Sequence, residues 1–283
     1  MTRVLVLHCG PMKTGSTAIQ DLLIEQRPKL FEYGISFYHV RAKSMKQQLD
    51  NIVERELYSD SEVILLSSEF FGQVDQEVLR PLLVNFCDFE KHAIFTARCL
   101  RDVYPSLYLQ NLKGSSMRTS SLKHFLLNQL ALDASLECGR VGQVMNFEYL
   151  DLRLSEVGFE THWLSYSREF LLKNFIGLLS MLSNQQLKTI DCLILSRPVG
   201  ISPRRSLRME IADIARFVNF LMKRGFITQK QRQYILILLL FLSDLLRLVR
   251  PTMPSLPGDF ARKCDELDYK INQSFLKKKG LVA

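Results

Sequence analysis

Residues 3–25 read RVLVLHCGPMKTGSTAIQDLLIE, and the order of residue types in this stretch decides the fold. Arg3 to Cys9 is a short run rich in valine and leucine, the composition of a buried strand. From Ser16 the apolar residues Ile19, Leu22 and Leu23 recur at helical spacing. Between them lies GPMKTGST, spaced G-x-x-x-x-G and followed by two hydroxyl residues. Strand, glycine loop and helix make the geometry in which backbone N–H groups and a helix N-terminus converge on an anion. The lysine is displaced, however. A triphosphate loop carries lysine directly after its second glycine, whereas Ser16 follows Gly15 here and Lys13 lies inside the loop. The arrangement that grips β and γ phosphates with lysine and magnesium with the next hydroxyl is therefore broken. From the loop crown, Lys13 is a compact point charge suited to a bridging or leaving-group oxygen. The backbone N–H groups of Thr14, Gly15, Ser16 and Thr17, with the three hydroxyls among them, are expected to surround a terminal phosphate or sulfate.

Further along, short apolar runs at 63–68, 92–98 and 161–167 alternate with segments of helical periodicity. That alternation predicts an α/β fold, a central parallel sheet flanked by helices in the manner of phosphate-loop proteins. The second half is helical in pattern over 167–187 and 203–249, with the basic loop SRPVGISPRRS between them and PTMPSLPG as a later break. The expectation is one domain over 1–283, with an α/β core at 1–167 and a mainly helical elaboration at 168–283.

Composition is that of an ordinary globular chain, 47% hydrophobic and 23% charged. The excess of basic over acidic residues, 37 − 29 = 8, favours anionic ligands without choosing among nucleic acid, membrane surface, acidic glycan and phosphorylated cofactor. The six cysteines are scattered, with no C-x-x-C pair and no nearby histidine partners, which argues against a zinc site and against a dense disulfide framework. Reduced thiols and a cytoplasmic location are expected. The apolar run Val4 to Leu7 is too short for a signal peptide and ends in histidine. The segment Tyr234 to Val249 falls short of the ~20 apolar residues of a spanning helix and is interrupted by Asp244 and Arg247. It reads as a core helix, with peripheral membrane contact as the alternative because basic residues flank it.

The loop P-M-K-T-G-S-T-A-I-Q resembles the 5′-phosphosulfate loop of sulfotransferases that use 3′-phosphoadenosine 5′-phosphosulfate (PAPS). In that family a second motif holds the 3′-phosphate: an arginine at a strand end and a serine eight residues later on the next helix. HAIFTARCLRDVYPSLY offers Arg98 and Ser106 at that spacing, with Tyr108 completing an S-x-Y. A guanidinium forks onto phosphate oxygens and a helical hydroxyl adds a further contact. The resemblance implies PAPS as sulfuryl donor, no metal, and cofactor contacts from Lys13, Thr14, Gly15, Ser16, Thr17, Arg98 and Ser106. It extends loosely to NFEYLDL, the helix-and-turn at 146–159, and to the loop bearing Arg197, Arg204 and Arg205. Arg101 is a rival at the wrong spacing and reads as a solvated charge.

The family's base is a histidine or a glutamate after a central strand. Glu69 follows the strand at 63–68 and is the expected base, against a bland reading as the cap of a following helix. His8 reads as a packed strand residue and His92 as a surface one. Two other classes stay open: a phosphate-loop kinase or NTPase with an atypical loop, and a non-catalytic nucleotide-binding protein. No nucleic-acid partner is implied. Neither the acceptor nor the oligomeric state is specified by the residues.

Overall fold

The computed structural model describes residues 2–11, 13–114, 119–135, 146–167, 169–183, 207–249 and 256–281. These form two compact units. One comprises the described residues within Met1–Arg98, Cys138–Ile201 and Ile271–Ala283; the other comprises those within Cys99–Glu137 and Ser202–Lys270. The basic loop with Arg197, Arg204 and Arg205 lies outside the described residues.

The first unit is α/β. Its elements are β1 (Val4–Cys9), α1 (Ser16–Glu25), α2 (Arg27–Glu32), β2 (Ile35–His39), α3 (Met45–Glu56), β3 (Val63–Ser68), α4 (Gln76–Asn85) and β4 (Glu90–Ala97). The second unit's α5 (Leu100–Lys113) and α6 (Leu122–Ser135) intervene before α7 (Phe147–Ser155), β5 (Glu160–Ser165) and α8 (Leu171–Leu182). The five strands form one parallel sheet in the order β2-β3-β1-β4-β5. The expected parallel sheet flanked by helices is therefore present. All six residues of β1 are buried, as its central place requires.

Alternation along the strands separates two cores. Leu5, Leu7, Phe95 and Trp163 face one side, where the Phe95 and Trp163 rings stack 4.5 Å apart. Val4, Val6, Leu65 and Ile94 face the other, against Leu22 and Leu23 of α1 and Phe175 and Ile176 of α8. Each such side chain contributes about 1.5–3 kcal/mol on burial.

The structure corrects several element boundaries. The helical pattern that starts at Ser16 gives two helices, because Pro28 lies at the start of α2 and has no N–H for a continuing helix. The edge strand β2 was absent from the sequence reading. Its run ISFYH is short and mixed, and it becomes a strand by pairing with β3. His92 is 8% exposed instead of lying on the surface, since β5 pairs alongside β4. The motif at 146–159 does form a helix and turn: Asn146 caps α7 by accepting from Tyr149 N–H, and Gly158 takes the left-handed φ of 88°.

The chain leaves β1 toward β2 on one side of the sheet, whereas the strand that follows β4, β5, lies on the other. The adjacent carboxyl ends of β1 and β4 therefore define the topological switch point, where open α/β sheets bind ligands.

The second unit is helical in its described residues: α5, α6, α9 (Ala212–Lys223), α10 (Gln229–Val249) and α11 (Gly258–Asp268). Buried Arg232 of α10 donates to Asn219 Oδ1 at 2.7 Å and to Gly114 O at 2.9 Å, and Asn219 donates to Leu112 O at 2.8 Å. These groups satisfy carbonyls left over at the end of α5. The helix α10 is not buried all round. Arg232, Leu236, Leu239 and Ser243 form its inner stripe, while Tyr234, Leu238, Phe241 and Leu245 are exposed. No helix among the described residues is long and apolar enough to cross a membrane.

Candidate nucleotide-binding site

The loop after β1 is shaped by its two glycines. A Cβ on Gly10 would lie 2.6 Å from Ser16 Cβ, so only glycine lets the strand end pass this close to the helix start. Gly15 has φ 95°, and a Cβ there would also meet Leu171 Cδ2 at 2.4 Å. Lys13 has φ 70°, a left-handed conformation that costs a non-glycine residue about 1–2 kcal/mol. Thr14 and Ser16 have negative φ, so the backbone alternates in hand from 13 to 16. Such alternation turns successive N–H groups toward one side and makes an anion-binding nest. Gly15 is the N-cap of α1 and no side chain caps the helix, which leaves its first N–H groups to a ligand.

Two of the loop hydroxyls are already engaged. Buried Thr14 donates to Pro11 O at 2.7 Å and so braces the loop from within. Ser16 donates to Glu69 Oε1 at 2.5 Å. Thr17 is half-buried on the first turn of α1.

Glu69 lies at the carboxyl end of β3, the strand beside β1, and not at the start of a helix, since α4 begins at Gln76 with Asp75 as its cap. The turn that carries it is fixed by buried Phe71 and by Gly72, where a Cβ would meet Phe95 Cε1 at 2.9 Å. Arg153 of α7 donates to Val74 O at 2.6 Å and holds the same turn from below.

Arg98 follows β4 across the switch point. Its Nη1 donates to Lys13 O at 2.9 Å, and its guanidinium lies 4.3 Å from the centre of the Tyr166 ring. Two motifs 85 residues apart in sequence are thus joined by one hydrogen bond. Ser106 is half-buried on α5 and belongs to the helical unit. Tyr108 is buried there and donates to Ser120 O at 3.2 Å. Arg101 pairs with Asp265 at 3.4 Å, both about half exposed, which is the solvated role expected of it.

His8 sits behind the loop on β1. Its Nδ1 is 2.8 Å from Ser67 Oγ and its ring packs edge-on against Phe175. Burial, with a smaller effect from His39, lowers its pKa to about 3, so the ring is neutral at physiological pH. Tyr166 and Leu171, which floor the loop, were not found by sequence reasoning. They come from β5's end and α8, and carry no local signal of their place. Among the described residues Cys9, Cys87, Cys99 and Cys264 are free thiols.

No protein-family model matches the chain, nor does any curated protein or solved structure.

Proposed function

We propose that this protein is a PAPS-dependent sulfotransferase, moving a sulfuryl group to a hydroxyl or amine of an acceptor such as a glycan, glycolipid or small metabolite in the cytoplasm. The observation that carries the reading is the loop of alternating hand at the switch point, with its lysine at the crown and Arg98 bonded to its backbone. The nest and the start of α1 suit the terminal anion of a phosphosulfate. Lys13 then faces the charge that develops on the bridging oxygen as the S–O bond breaks, a preorganised electrostatic role. Glu69 takes the proton of the attacking acceptor, and Ser16 orients its carboxylate. Arg98 is assigned to the 3′-phosphate, with Thr14 and Thr17 completing the loop; Ser106, the serine of the sequence motif, lies on the helical unit. Sulfuryl transfer places less charge on the moving group than phosphoryl transfer, so lysine and backbone dipoles serve without a metal.

A second reading, a magnesium-dependent kinase or NTPase, draws on the Ser16–Glu69 contact, because a loop hydroxyl beside a carboxylate on the next strand is where such enzymes hold the ion. The position of Lys13 favours the first. Thermal melting separates them: 3′,5′-bisphosphoadenosine is expected to raise the melting temperature in the presence of a chelator, since a ligand of the native state alone stabilises it. Stabilisation by ATP with magnesium, and none by the bisphosphate, would establish the second reading instead.

A further inference from the structure

At the end of the sheet opposite the loop, β4 and β5 bring three metal-ligating side chains to one face. Their register pairs His92 with Glu160 and Ile94 with His162. Side chains two apart on a strand share a face, so His92, Glu160 and His162 project together. His92 Nδ1 is 3.1 Å from His162 Nε2. Glu160 supplies one oxygen 3.6 Å from His92 Nδ1 and the other 3.9 Å from His162 Nε2.

We propose that His92, His162 and Glu160 form a binding site for a zinc-type divalent ion, held by two imidazole nitrogens and one carboxylate oxygen. A tetrahedral ion with bonds of ~2.0–2.1 Å sets its ligands about 3.3–3.4 Å apart. Taking one atom from each residue, the three donors lie within 4.8 Å of one another, so side-chain rotations bring all three onto one ion. Two histidines and a glutamate are also a recurrent zinc donor set, with the fourth position left to water. The outer groups are of the right kind. Glu90 lies 4.0 Å from the other nitrogen of His92, where a carboxylate orients a ligating ring. Lys279, a cation whose charge acts on His162, pairs at 3.0 Å with Asp151 Oδ1 and donates at 3.0 Å to Thr161 Oγ1. The two histidine side chains are 10% and 16% exposed, whereas Glu160 is 69% exposed, which gives an ion its route in. A bound ion would staple the edge strand β5 to β4, far from the loop.

Cobalt(II) titration of the untagged full-length protein tests this. The expected result is one equivalent bound, with visible d–d absorption of a tetrahedral nitrogen–oxygen site, no thiolate charge-transfer band, and displacement by zinc. Zinc should raise the melting temperature. Glu160→Gln, at an exposed position where folding is not at risk, should weaken cobalt binding by at least about 10-fold. His162→Ala should abolish the visible spectrum. No binding by the wild type, a thiolate band, or wild-type affinity in Glu160→Gln would each overturn the site.

Discussion

The two ends of the parallel sheet gather polar groups in different ways. At the carboxyl ends of β1, β3 and β4, the backbone does most of the work: a loop of alternating hand, an uncapped helix start and two close-packed glycines. Side chains there, Glu69 and Arg98, reach the loop from neighbouring strands. At the amino ends of β4 and β5 there is no such loop, and strand register alone gathers His92, Glu160 and His162. A backbone site is rigid before any ligand arrives and costs little to organise, which suits transition-state stabilisation. A side-chain cluster gains order when it is occupied, which suits a structural ion.

Substitutions of the carboxyl-end side chains that face the loop should act on turnover, and those of buried groups behind it or at the amino end on stability. The largest effect is expected from Lys13→Ala. Alanine tolerates φ 70° about as well as lysine does, so melting should hardly change. With PAPS and any accepted substrate, kcat should fall by roughly 10³–10⁵-fold, the scale for a cation serving this kind of transfer. A near-normal kcat would remove the leaving-group role. Next comes Glu69→Gln, which keeps the Ser16 hydrogen bond but cannot take a proton. Turnover should drop by roughly 10²–10⁴-fold, with donor affinity almost unchanged. Loss of affinity without loss of kcat would turn Glu69 into a prop for the loop.

A smaller effect is expected at His8, and it concerns folding. Its folded pKa of about 3 lies below the ordinary 6.5, so between these values the unfolded chain binds a proton that the folded chain does not. Stability from this group is full above pH 6.5 and is lost as pH falls toward 3, by as much as about 1.4 kcal/mol per pH unit. Urea unfolding at pH 6.5, 5.5 and 4.5 should show a shallower acid slope in His8→Gln than in the wild type. Equal slopes would mean that the ring is protonated in the fold.

The contrast between the two ends also explains what the sequence made legible. The loop was readable because strand, glycines, lysine and helix are contiguous, and the spacing alone dictates backbone shape. Glu69 and Arg98 were readable because each ends an apolar run, and parallel strands end at the same side of a sheet. The packing of Tyr166 and Leu171 beneath Gly15 was not, since nothing in either residue's neighbourhood refers to the loop. The strand β2 was hidden by shortness and mixed polarity. His92 and His162 stand 70 residues apart, and only the pairing of β4 with β5 joins them. Read from the sequence, His92 is a surface residue, and nothing in its neighbourhood refers to His162.

On the proposed function, the switch-point loop serves a nucleotide bearing a 3′-phosphate, with Arg98 as its partner. Calorimetry in the presence of a chelator tests it most directly, comparing 3′,5′-bisphosphoadenosine with adenosine 5′-phosphate on the wild type and on Arg98→Ala. The wild type should prefer the bisphosphate by roughly 10–100-fold, the worth of a charge-assisted hydrogen-bond pair, and Arg98→Ala should lose most of that preference. Equal affinity of the wild type for the two nucleotides would mean that no 3′-phosphate is recognised and that Arg98 has another role.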